Sequence, residues 1–220
     1  MKRSALAGRF EAGFDMLYLA AAFIMGCLLL IFTKSSVQTL FGVAALVLVA
    51  GDAFHLVPRI GAALSQKTER WQHALGIGKE ITSIGMTLFY VVLWHIGLVR
   101  FAPDGVSGWT IVVYVLAAVR IVLCLFPQNG WTQKNPSLAW AVWRNIPFTL
   151  LGILVAVLFF IFRGVAFTWM ALAILLSFAF YIPVVLWADR HPMLGMLMLP
   201  KTLCYVWIIA MGFTAFAVGA

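Results

Sequence analysis

Charged side chains lie inside long apolar runs of this sequence. Asp52, Glu80, Arg144 and Lys201 each have apolar sequence on both sides. In a bilayer, a charge facing lipid at mid-depth costs about 2.5 to 3.5 kcal/mol or more, so these side chains are expected to face inward. A buried carboxylate can take up or release a proton, and buried cations bind anionic groups such as phosphate. The four residues therefore predict an internal polar pocket.

Helical spacing adds further polar residues to this pocket, because residues three, four or seven apart share one face. Asp52 shares a face with His55 and Arg59. We predict Asp52 as the acid-base residue, with two supporting residues, His55 and Glu80. The side chains predicted to bind an anionic head group are Arg59, Lys79, Arg144, Asn145, Lys201 and Tyr205.

The same charges also have a purely structural interpretation. Ion pairs such as Asp52 with Lys201, or Glu80 with Arg144, would satisfy them without any function. Lys79 equally suits an interfacial position, where its ammonium group reaches lipid head groups. The His and Cys residues lack metal-ligand spacing, so neither a metal nor another cofactor is predicted.

Composition indicates the class of protein. Apolar residues make up 64% of the chain and charged residues 10%, which excludes an ordinary soluble domain. Backbone groups in lipid must bond within their own segment, so the apolar runs predict helices. We predict an all-α polytopic membrane protein whose single domain, 1–220, is a bundle of seven transmembrane helices. The predicted spans are 12–33, 37–58, 74–100, 108–126, 138–162, 166–188 and 193–219.

Basic residues predict how the bundle is oriented. All but three of the 15 Lys and Arg residues fall on the side where the chain begins, the exceptions being Lys34, Arg100 and Arg163. The positive-inside rule then predicts a cytoplasmic N-terminus, an outside C-terminus and a multi-pass protein of the inner membrane. On a membrane protein, the basic excess indicates membrane lipids with anionic head groups as partners, not nucleic acid.

One short segment resembles a known family. The segment Gly51 to Arg59 reads GDAFHLVPR, and Phe89-Tyr90 lies in the following predicted helix. It resembles the Gly-Asp motif of the YhhN family of lysoplasmalogenase-like membrane proteins. The resemblance implies an enzyme that cleaves the vinyl-ether bond of lysoplasmalogens, with Asp52 as catalytic acid or base. The family is usually drawn with eight spans, one more than predicted here.

The leading hypothesis is a lipid-directed hydrolase with a lysophospholipid-like substrate and a cytoplasm-facing pocket. A small-solute transporter is the main alternative, because carriers also use kinked helices and intramembrane charges. A seven-helix ligand-binding protein without catalysis is also open. A photoreceptor with retinal bound to Lys201 is the third class, although this lysine lies nearer the cytoplasmic end than mid-membrane.

Overall fold

A computed structural model describes residues 5–65, 68–133, 135–162, 167–188 and 190–214. Every regular element in these ranges is helical. The α-helices are α1 (Ala5–Ile31), α2 (Ser36–Ser65), α3 (Thr68–Phe101), α4 (Ser107–Leu125), α5 (Leu138–Ile161), α6 (Met170–Trp187) and α7 (Met198–Thr214). Short 3₁₀ helices, Pro127–Asn129 and Pro192–Leu197, precede α5 and α7.

Within the described ranges, seven helical segments are long and apolar enough to cross a membrane, with mean hydropathies from 1.6 to 2.3. The seventh begins at Met193 and includes the second 3₁₀ helix. The predicted all-α bundle of seven spans is therefore confirmed, and the helices indicate a multi-pass membrane protein.

Three helices are longer than the sequence predicted: α1, which begins at Ala5 and not at residue 12, and the two helices α2 and α3. The predicted second span ends at 58 and the third begins at 74, with a polar connection between them. In the structure Pro58 lies inside α2, which continues to Ser65, and α3 begins at Thr68. Proline cannot donate to the carbonyl four residues earlier, but this does not end the helix, since packing against α3 supports it.

The helices form a closed ring in chain order. Each helix packs against the next, and α7 returns to contact both α1 and α2, while α3 also contacts α5. Helices α1, α3, α5 and α7 begin at one end of the bundle, which we call the N-terminal end. Ion pairs between α1 and α2 lie at this end, whereas the α1–α2 turn with its Thr33–Thr39 hydrogen bond lies at the opposite end.

Glycines bring α2 and α3 into backbone contact. A Cβ atom on Gly51 would lie 3.2 Å from Gly85 Cα, and one on Gly78 would overlap the carbonyl oxygen of Phe54. Thr82 donates a 2.9 Å hydrogen bond to the Gly51 carbonyl across the same seam. Close packing of small residues is a main source of helix association in membranes. This seam fixes the position of Asp52, which directly follows Gly51.

Aromatic side chains fill the half of the bundle away from the N-terminal end. Phe167 lies 5.8 Å, between ring centroids, from both Phe41 and Phe159, and all three rings are fully buried. Phe101 adds an edge contact to Phe159 at 5.7 Å. This half is therefore a packed apolar core, and the buried polar groups described next lie nearer the N-terminal end.

Candidate functional site

The first polar cluster joins α1 to α2 at the N-terminal end. Arg59 Nη2 donates a 3.0 Å hydrogen bond to Glu11 Oε2, and Arg59 Nε lies 3.6 Å from Asp15 Oδ2. Both carboxylates are buried. Arg59, which the sequence predicted as a head-group ligand, therefore has two acidic partners within the protein. Its charge stabilises two buried carboxylates that would otherwise be costly.

The predicted acid-base residue lies deeper, between α1, α2 and α7. The buried Tyr18 hydroxyl donates a 2.7 Å hydrogen bond to Oδ2 of Asp52, which is half-buried. Lys201 is buried and within electrostatic range of this carboxylate. No carboxylate oxygen of a described residue comes within 4.0 Å of the Lys201 ammonium group. Asp52 and Lys201 are thus close without forming a direct ion pair.

Aromatic rings enclose the Lys201 ammonium group. Its nitrogen lies 4.9 Å from the ring centroid of Tyr181 on α6 and 5.0 Å from that of Tyr205 on α7. Both distances are within the range of cation–π attraction. Tyr205 was predicted at this place from its spacing to Lys201. Tyr181 was not predicted, although its position four residues after Ser177 puts both polar groups on one face of α6.

A second cluster surrounds Arg120, which is 1% exposed. Its Nη1 donates to Asn145 Oδ1 at 3.2 Å, and its guanidinium carbon lies 3.5 Å from the centroid of Phe148. The Tyr181 hydroxyl donates to the same Asn145 oxygen at 3.0 Å. The Arg120 Nε is buried without a hydrogen-bond partner. A buried guanidinium held only by neutral groups favours a nearby anion.

Arg144 belongs to the edge of this second cluster. Its Nη1 donates a 2.8 Å hydrogen bond to Asn129 Oδ1, and its guanidinium carbon lies 4.1 Å from a ring centroid of Trp131. Asn129 in turn donates to the Leu123 and Phe126 carbonyls at the end of α4. Arg144 therefore bonds to the neutral Asn129, and no ion pair between Arg144 and Glu80 is present among the described residues. The sequence offered no periodic signal for Asn129, because it lies outside the α-helices.

Three predicted residues lie apart from Asp52. His55 packs against α3, where a Cβ on Gly78 would lie 2.6 Å from its Cα. Lys79 is exposed, and Glu80 is half-buried on α3. Among the described residues, no hydrogen bond or ion pair joins His55 or Glu80 to the Asp52 carboxylate. The supporting roles of His55 and Glu80 therefore remain predictions from the sequence.

An apolar groove between α5 and α6 reaches the second cluster. The groove encloses about 260 Å³, and its outward-facing walls include Ile146 and Leu150, which are 45% and 47% exposed. Asn145, Thr149 and Tyr181 supply its polar atoms. The apolar residues of the lining are Val142, Ile146, Leu150, Ile182, Val185 and Leu186. The groove therefore connects the outer surface of the bundle with the residues that hold Arg120.

Over the part of the chain that the structure describes, no group of three or more His, Cys, Asp or Glu residues is placed to hold a metal ion. No model of a known protein family matches the chain. Neither a curated protein nor a solved structure matches it significantly.

Proposed function

We propose that this protein is a membrane-embedded hydrolase acting on single-chain, lysophospholipid-like lipids, with Asp52 as its acid-base residue. The observation that carries the proposal is the contact of the half-buried Asp52 with the buried Tyr18 hydroxyl, with the buried Lys201 nearby. An acid, a phenol and an ammonium group are expensive to bury in a bilayer, and such intramembrane groups are typically functional.

The chemistry assigned to Asp52 is proton transfer. As an acid it would protonate the group at the bond that breaks, and as a base it would take a proton from the attacking water. The Tyr18 hydroxyl fixes one carboxylate oxygen, Oδ2. The other oxygen then faces the substrate. The resemblance of Gly51 to Arg59 to the YhhN motif supports a vinyl-ether bond as the first bond to test.

A lipid substrate is supported by the charges around Asp52. The buried cations Lys201 and Arg120 repel each other. Neither has a carboxylate within 4.0 Å among the described residues. A phosphate head group would supply the missing negative charge. The groove beside Asn145 and Tyr181 offers an apolar surface for the chain of the same lipid. In this proposal the two cations bind the head group, and the groove binds the chain.

The orientation proposed for the bundle has the N-terminal end in the cytoplasm and the protein in an inner membrane. The distribution of Lys and Arg supports it. In a background with the native cysteines replaced by Ala, Lys34→Cys should react with a membrane-impermeant maleimide in intact spheroplasts. Arg70→Cys should react only after lysis, since both positions are exposed but at opposite ends. The reverse pattern would contradict this orientation.

Hydrolysis is tested with purified protein in detergent. Wild type and Asp52→Asn are incubated with a panel of lysophospholipids that includes vinyl-ether species, and the products are followed by mass spectrometry. We expect wild type to release an aldehyde or fatty acid and Asp52→Asn to lose about 100-fold or more of the rate, in line with the loss of a general acid-base group. Glu69→Gln is the matched control, because Glu69 is exposed at the start of α3.

The outcomes separate catalysis from its alternatives. Equal product release by wild type and Asp52→Asn would remove Asp52 from the mechanism. Intact lipids with every protein would refute hydrolysis of this class. Ligand binding or transport would then be the hypothesis to pursue.

A further inference from the structure

A second cavity lies at the opposite end of the bundle, far from Asp52. It encloses about 330 Å³ between the α3–α4 turn, the start of α4 and the end of α5. The lining combines two tryptophans, one carboxylate and an aliphatic wall. Its residues are Trp94, Asp104, Gly105, Val106, Trp109, Leu154, Val157, Leu158, Ile161 and Phe162.

The polar part of this cavity has the chemistry of an ammonium site. Indole rings attract cations through their electron-rich faces, and tryptophan is the strongest of the aromatic residues in this respect. Asp104 adds a negative charge to the lining that contains Trp94 and Trp109. Among the described residues, Asp104 forms no ion pair, so this charge is available to a ligand.

Membrane anchoring explains Trp109 but not Trp94. Tryptophans at the membrane surface commonly contact head groups with an exposed ring, and Trp109 is 55% exposed. Trp94 is only 2% exposed, and its indole N–H donates a 3.1 Å hydrogen bond to Thr110 Oγ1. Thr110 itself donates to the Val106 carbonyl at 3.1 Å. Trp94 is therefore a fixed inner wall of the cavity.

The rest of the lining fits a hydrocarbon chain. Leu154, Val157, Leu158 and Ile161 all lie on α5, and Ile161 is 63% exposed on the outer surface of the bundle. A ligand with an ammonium head and an apolar chain would meet a complementary surface over both parts. A soluble ammonium ion would use only the first part.

We propose that this cavity binds the quaternary ammonium head group of a membrane lipid of the phosphatidylcholine class. Its chain would lie along the aliphatic face of α5. The site is independent of the hydrolase proposal, because none of its residues belongs to the Asp52, Lys201 or Arg120 groups. The group recognised here is a cationic ammonium, whereas the hydrolase proposal involves an anionic phosphate.

The test is competitive lipid binding to the full chain in a neutral maltoside detergent, measured by native mass spectrometry. Phosphatidylcholine and phosphatidylglycerol with identical chains compete for wild type, Trp109→Leu and Asp104→Asn. The readout is the ratio of bound phosphatidylcholine to bound phosphatidylglycerol, which is internal to each sample and independent of how much protein is folded. Trp169→Leu is the matched control, because Trp169 lies at the same end and is 58% exposed.

We expect wild type to prefer phosphatidylcholine. Each of the two cavity variants should lower that preference by about threefold or more, in the range expected for a cation–π contact. Trp169→Leu should leave the ratio unchanged. Lysophosphatidylcholine should displace the bound lipid at far lower concentration than choline chloride. An unselective wild type, an unchanged ratio in both cavity variants, or equal potency of choline chloride would each overturn the proposal.

Discussion

The Tyr18 hydroxyl and the Asp52 carboxylate are joined by a 2.7 Å hydrogen bond between residues 34 positions apart in sequence. This bond connects α1 with α2. Tyr18 is 4% exposed, so its hydroxyl would lose its partner altogether if Asp52 moved. The contact thus orients the acid and also holds two helices together.

Removing this hydroxyl should destabilise the protein. In Tyr18→Phe the carboxylate loses its donor, and a hydrogen bond to a charged group contributes about 1.5 to 3 kcal/mol. We expect a corresponding loss in the free energy of unfolding, measured by denaturant titration in detergent. Tyr114→Phe is the control, because the Tyr114 hydroxyl bonds to His95 Nε2 in an exposed setting. Equal losses in both variants would contradict a special role for the Tyr18–Asp52 bond.

Asn145 and Arg120 should be strongly coupled. In Asn145→Leu the Arg120 Nη1 loses its side-chain acceptor and keeps only the Arg144 carbonyl at 3.5 Å, and a hydrogen bond to a charged group contributes about 1.5 to 3 kcal/mol. Replacing both residues, Arg120→Met with Asn145→Leu, removes the charge together with its partner. We expect the double variant to be more stable than Asn145→Leu alone.

A double-mutant cycle of unfolding free energies measures this coupling. Additive losses would mean that Arg120 does not depend on Asn145. Thr202→Val serves as the control, because its hydroxyl donates only to the Met198 carbonyl in its own helix. The loss in unfolding free energy caused by Thr202→Val should simply add to the loss caused by Asn145→Leu.

The glycine seam between α2 and α3 should not tolerate a methyl group. In Gly78→Ala the new Cβ would overlap the Phe54 carbonyl oxygen, so the two helices must move apart. We expect a clear fall in the thermal unfolding temperature. In Gly13→Ala the new Cβ meets nothing within 4 Å, and replacing a helical Gly by Ala stabilises by about 0.5 to 1 kcal/mol. If Gly78→Ala and Gly13→Ala change the unfolding temperature in the same direction, close packing at the seam is contradicted.

The fold followed from the sequence because hydropathy alone determines which segments can cross a membrane. Helix ends were less predictable, since α2 continues past Pro58 and α3 begins in a polar segment whose backbone is already helical. Local propensity gives no information on tertiary support of such ends. The predicted seven spans are thus confirmed while their lengths differ.

Several residues of the candidate site were named from the sequence, but their partners were not. Spacing along one helix relates Asp52 to His55 and Lys201 to Tyr205, yet it carries no information about the rotation of one helix against another. That rotation brings Tyr18 to Asp52 and Asn129 to Arg144. It also turns His55 toward α3. Tyr181 and Asn129 act as neutral partners of buried cations, and a search for charges overlooks such residues.

Arg59 gives the sharpest contrast between the sequence and the structure. The sequence predicted a head-group ligand, but Arg59 contacts Glu11 and Asp15. We expect Arg59→Gln to lower the free energy of unfolding, because two buried carboxylates lose their cation. Its affinity for lysophosphatidylglycerol, an anionic single-chain lipid, should stay within about twofold of wild type, since a change below 0.4 kcal/mol corresponds to about that factor.

Lys201→Met provides the comparison for lipid affinity. Lys201 has no carboxylate within 4.0 Å among the described residues, and under the proposed function its charge contacts the lipid phosphate. Its loss should weaken binding about tenfold or more, as expected for a charge-assisted hydrogen bond. Glu11→Gln added to Arg59→Gln should restore part of the lost stability, because one uncompensated carboxylate is removed. If Arg59→Gln instead weakens lipid binding as much as Lys201→Met, then Arg59 leaves its acidic partners to bind the head group.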